Sequence, residues 1–107
     1  MTDEIDDITD PLGNHINLPV NLFNHPNEDI EAQLYNEAVS VLKKPALVID
    51  SVTNNEREIH YFRSIDWNIT MLVTVRIINN RWVVYSYTKN PALELVAEYL
   101  RNGKRLF

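Results

Sequence analysis

Met71-Leu72-Val73-Thr74-Val75-Arg76-Ile77-Ile78-Asn79-Asn80-Arg81-Trp82-Val83-Val84-Tyr85-Ser86-Tyr87-Thr88 decides the fold. Two β-branched and aromatic runs flank Asn79-Asn80, and Asn tolerates the positive φ that a two-residue hairpin turn demands. If the turn holds only those two residues, Ile78 pairs with Arg81 and Ile77 with Trp82. Strict alternation then puts Met71, Val73, Val75, Ile77, Trp82, Val84, Ser86 and Thr88 on a core face. Leu72, Thr74, Arg76, Ile78, Arg81, Val83, Tyr85 and Tyr87 share the other.

Outward from the hairpin, Glu58 to Ile65 and the run Ala46 to Val52 read as two further strands. In the strand from Glu58, Ile59, Tyr61, Arg63 and Ile65 alternate with His60, Phe62 and Ser64. The register is open, and Tyr61 and Arg63 are placed with Arg76, Tyr85 and Tyr87. A helix over about 27–43 is marked by Asn24-His25-Pro26-Asn27 at its start and Pro45 at its close. Ile30, Leu34, Ala38, Val41 and Leu42 form its apolar stripe. A last helix over about 91–102 follows Asn90 and Pro91, stops at Gly103, and turns Leu93, Val96, Ala97 and Leu100 inward. His15 to Leu22 alternates as an edge segment, with Pro19 excluding a central position. The expected fold is α+β, with helices packed on one face of a four-stranded antiparallel sheet.

The 107 residues suit one domain, and 45% hydrophobic with 23% charged is ordinary for a globular chain. No apolar run is long enough to span a bilayer, and the acidic start is unlike a secretory signal, so a cytoplasmic protein with no membrane partner is expected. With no cysteine, thiolate chemistry and Cys-based zinc sites are excluded. His15, His25 and His60 lack ligand spacing, and there is no Gly-rich phosphate loop, so neither metal nor cofactor is expected. Ser51, Ser64 and Ser86 lack the context of a nucleophile elbow.

Net charge is −5 but unevenly spread. Everything before Arg57 sums to −9 and everything from it to +4. Residues 1–10 hold five acids and read as a poorly ordered tail, with residues 11–107 as the domain. The other reading is that this segment folds over the basic half and competes with a polyanion. On the mixed face, Arg offers bidentate phosphate contacts, while Tyr stacks on unpaired bases and supplies a hydroxyl. Tyr61, Thr74 and Tyr87 are the candidate substrate-binding residues, and Arg76 and Tyr85 candidate catalytic ones.

Several ordered segments carry a resemblance. They are Asp10-Pro11-Leu12-Gly13-Asn14-His15-Ile16-Asn17-Leu18, His25-Pro26-Asn27, Val41-Leu42-Lys43-Lys44-Pro45, Ile59-His60-Tyr61-Phe62-Arg63, Leu72-Val73-Thr74-Val75 and Val83-Val84-Tyr85-Ser86-Tyr87. Their order resembles the phage-associated branch of the barnase–EndoU–colicin–RelE-like nuclease superfamily over residues 10 to about 90. The resemblance implies metal-independent RNA cleavage on an open sheet face, and it adds His25 and Arg63 as catalytic candidates. Two departures stand out. The place of a second family His, near Val20, is apolar, and the Thr of the last-strand motif falls on Tyr85. The expected function is a small endoribonuclease, toxin-like or phage-derived, with RNA as partner. The alternative is a non-catalytic acidic interaction module, a mobile-element accessory that keeps the nuclease-like fold and meets an inhibitor or partner protein.

Overall fold

A computed structural model describes residues 5–23, 28–53 and 55–107. The strands are β1 (Ile5–Thr9), β2 (His15–Pro19), β3 (Leu47–Thr53), β4 (Glu56–Asp66), β5 (Ile69–Ile78), β6 (Arg81–Lys89) and β7 (Lys104–Arg105). The helices are α1 (Glu28–Lys43) and α2 (Leu93–Asn102), with a 3-10 turn over Val20–Phe23. His25, the Asn24–Asn27 helix start and the Ile30 side chain lie outside the described residues.

Among the described residues one seven-stranded mixed sheet runs β1-β2-β6-β5-β4-β3-β7, and strand outweighs helix. This corrects the expected four-stranded antiparallel sheet. β3 to β6 do form an antiparallel meander. Its edges, however, are extended by three more strands: the sequence pattern marks neither β1 nor β7 as a strand, and β2, read as an edge segment, lies inside the sheet with a partner on each side. β2 pairs parallel with β6 through Ile16↔Trp82 and Asn17↔Val83, β1 covers β2, and β7 covers β3. Each addition hides a row of backbone donors and acceptors that a bare edge would expose.

Residues 5–9, read as part of a disordered tail, are strand β1. Ile8 is buried in the core and Tyr35 donates to the Asp6 carboxylate, contacts that offset the crowding of like charge. The link to β2 is an Asp-centred turn, in which Asp10 Oδ1 accepts from the Leu12 and Asn14 amides at 3.0 and 2.7 Å. Gly13 supplies the φ of +89°.

The helices occupy opposite faces, the second correction. α1 packs Leu34, Ala38, Val41 and Leu42 on Ile16, Leu18, Val48, Ile59, Tyr61, Val73 and Val75. α2 lies on Ile49, Phe62 and Leu72, touching them with Val96 and Tyr99. The reason is that β3, β4 and β5 are apolar on both faces at one end: Leu47-Val48-Ile49 is a continuous run, and such a strand needs cover on each side.

Asn79 and Asn80 take φ of 52° and 64°, and Ile78↔Arg81 and Ile77↔Trp82 pair as the two-residue turn requires. The ladder then slips between Thr74 and Val75, with Val75 opposite Val84 and Thr74 opposite Ser86. Tyr85 is the extra residue of a β-bulge, so the alternation of β6 inverts beyond it.

Candidate active site

The bulge and the β4 register decide which side chains meet. Beyond Tyr85, Tyr87 pairs with Val73 and turns to the α1 side, where its ring stacks on Phe23 at 4.9 Å. Tyr61 also pairs with Val73; it is fully buried and donates to Asp10 Oδ2 at 2.6 Å. Burial first, then that hydrogen bond, pushes its pKa above the ordinary tyrosine value. Arg63, opposite Met71, donates to the Lys44 carbonyl at 2.6 Å just beyond the end of α1. Tyr61, Arg63 and Tyr87 therefore leave the expected site, each for a local reason.

On the α2 face the expectation is partly met and partly enlarged. Arg76 and Tyr85 come together, with the guanidinium carbon 3.6 Å from the ring centroid. Thr74 shares that face. The register Glu58↔Arg76 and His60↔Thr74 adds two residues that sequence reasoning placed elsewhere. Arg76 Nε donates to Glu58 Oε2 at 2.9 Å, and its Nη1 lies 3.1 Å from Glu56 Oε2. The Glu58 bond, foremost among the causes, raises the Arg76 pKa further. Arg76 also borders a cleft of about 460 Å³ lined by Asn55, Glu56, Arg57, Ile77 and Ile78.

Beneath Glu58 lies a buried hydroxyl–imidazole row. His60 Nε2 is 2.8 Å from Ser51 Oγ and 3.9 Å from Glu58 Oε1, and Nδ1 is 3.2 Å from Thr74 Oγ1. Hydroxyls accept or donate, so either neutral tautomer satisfies both ring nitrogens. Tyr99 of α2 stacks on the imidazole with centroids 3.7 Å apart. Burial lowers the His60 pKa, against the opposing fields of Glu58 and Asp50. The ring is therefore neutral at pH 7.

A signal for the two missed residues exists in the sequence. Glu58 and His60 are two apart on one strand and must share a face, and a carboxylate facing Arg76 is the favourable cross-strand choice. Alternation along β4 puts Glu58 and His60 on the face opposite Tyr61 and Arg63, so only one of the two pairs can stand beside Arg76.

Chemically, the face offers a carboxylate able to take a proton, a permanent cation against it, and an exposed phenol on the far side of that cation. Among the described residues no group of three or more His, Asp or Glu could hold a metal, and no helix is long and apolar enough to cross a membrane. No family model, curated protein or solved structure matches the chain.

Proposed function

We propose that the chain is a metal-independent endoribonuclease, with Glu58, Arg76 and Tyr85 at its site. One observation carries the reading: Arg76 lies between the Glu58 carboxylate and the Tyr85 ring on one sheet face. Cleavage needs a base for the ribose 2′-OH, a cation beside the phosphoryl oxygens, and a donor for the leaving oxygen. Glu58 takes the 2′-OH proton, and the freed oxygen attacks phosphorus. Arg76 stabilises the charge gathered on the non-bridging oxygens. The bond from phosphorus to O5′ breaks, and O5′ takes a proton from the Tyr85 hydroxyl. The products are a 2′,3′-cyclic phosphate and a free 5′-hydroxyl. His60, within 3.9 Å of Glu58, is on the base side and cannot also serve the leaving oxygen in line.

The second reading, a non-catalytic interaction module, is favoured by a different feature of the same place. Two carboxylates face one guanidinium, a local excess of negative charge that repels phosphate. Incubation of the protein with single-stranded RNA in a chelator separates the two. The nuclease reading expects cyclic-phosphate ends, with a rate lowered about 10²–10⁴-fold in Glu58→Gln. Intact RNA at micromolar wild-type protein overturns it and leaves the interaction module.

A further inference from the structure

We propose that α2 is a displaceable strap over this site: Tyr99 seals His60 while the helix is down, and lifting the helix exposes the imidazole beside Glu58. The inference takes its catalytic meaning from the nuclease reading, but its physical basis is separate.

The helix is thinly attached along its length. None of its ten residues is buried, Leu93 is 83% exposed, and Leu95 and Leu100 are exposed as well. Only Val96 and Tyr99 pack on the apolar patch of Ile49, Phe62 and Leu72. The rest of the seat is polar, because Tyr99 covers His60 with its Ser51 and Thr74 partners. Few buried apolar contacts make a low-stability element.

Its ends are firmly tied. Before the helix, Asn90 N donates to the Thr70 carbonyl at 2.7 Å, and Thr70 N to Asn90 Oδ1 at 2.9 Å. After it, β7 pairs with β3 and Leu106 N donates to Val48 O at 2.8 Å. The segment between these anchors can lift without leaving the molecule.

Opening is coupled to protonation. The charged groups acting on His60 are Glu58 on β4 and Asp50 on β3; Arg76 on β5 is held by Glu58, and on α2 Glu98 acts on Tyr99. Acidic fields favour the protonated ring, and burial, the largest influence, opposes it. Removing the cover removes the opposing influence, so the open state binds a proton more readily, and by linkage acid favours opening.

The test needs no RNA. The His60 ring is titrated by NMR in wild type, Tyr99→Ala and Tyr99→Leu, its resonance identified by its loss in His60→Gln. The expected result is a pKa higher in both Tyr99 variants than in wild type, together with α2 amide exchange, corrected for intrinsic rates, that is faster at pH 5.5 than at pH 7.5. Leu93→Ala, altering an exposed position, should reproduce wild type. A His60 titration unmoved by both Tyr99 variants, or α2 protection independent of pH, overturns the strap. A protein that cleaves no RNA but shows the His60 shift keeps the strap and loses the nuclease.

Discussion

The Asp10 carboxylate gathers the Leu12 and Asn14 amides, the Asn14 side chain and the Tyr61 hydroxyl. It thereby ties the β1–β2 turn to the middle of β4. Tyr61→Phe keeps the ring's packing but removes the 2.6 Å bond, leaving a mostly buried carboxylate oxygen short of a donor. The expected cost is about 1–3 kcal/mol, read by denaturant unfolding. Arg63 and Arg76 illustrate what single residues reveal. Both are arginines on alternating strands, and nothing in their own neighbourhoods tells them apart. The face of Arg76 follows from the Asn79-Asn80 hairpin, whereas that of Arg63 follows from the register of β4 on β5, which shifts between Ser64 and Asp66. Arg76 beside Tyr85 was legible, because the Asn79-Asn80 turn fixes the β5–β6 pairing as far as Val84, next to the bulged Tyr85. Tyr87 was not, because one extra residue, Tyr85 itself, inverts the parity beyond it. His25 lies outside the described residues.

At the level of elements, α1 is legible because Pro45 closes it and its stripe recurs at helical spacing. α2 is legible as a helix but not in its seat. Its apolar residues are spread around the axis, so Leu93 and Leu100, read as inner, are exposed, while Tyr99 makes the contact. Leu93→Ala should therefore change stability by no more than about ±0.5 kcal/mol. Trp82 is half-buried against the core, with the Arg57 guanidinium 6.0 Å from its ring centroid. β1 carries the clearest consequence. Composition marked the acidic segment as a tail, since charge density outweighed the Ile5–Ile8 signal. The strand nonetheless buries Ile8 and pairs along β2. Deleting residues 1–9 is expected to lower the melting temperature clearly, at a cost of roughly 2–5 kcal/mol, comparable to truncating a buried Ile. An unchanged melting temperature would show that β1 contributes little.

For the whole molecule, the meander came through from hairpin chemistry and β-branched runs. The parallel β2–β6 pairing did not, because a contact between segments so distant in sequence leaves no local periodicity. The same global packing sets the pH response. His60 is held neutral when folded, its pKa lowered by burial, whereas the unfolded ring titrates at about 6.5. Below that value the unfolded chain binds more protons than the folded one, so stability falls as pH drops through it. His60→Gln should flatten this part of the stability curve between pH 7.5 and 5.5; a curve unchanged by the substitution would assign the slope to other groups. The most direct test of the account compares the two arginines on opposite faces in one chelator-containing RNA cleavage assay, with folding checked by circular dichroism. Arg76→Ala is predicted to lose about 10²–10³ in rate, while Arg63→Ala stays within about twofold of wild type, the kinetic equivalent of about 0.5 kcal/mol. Equal losses, a larger loss in Arg63→Ala, or no cleavage by the wild-type protein would contradict it.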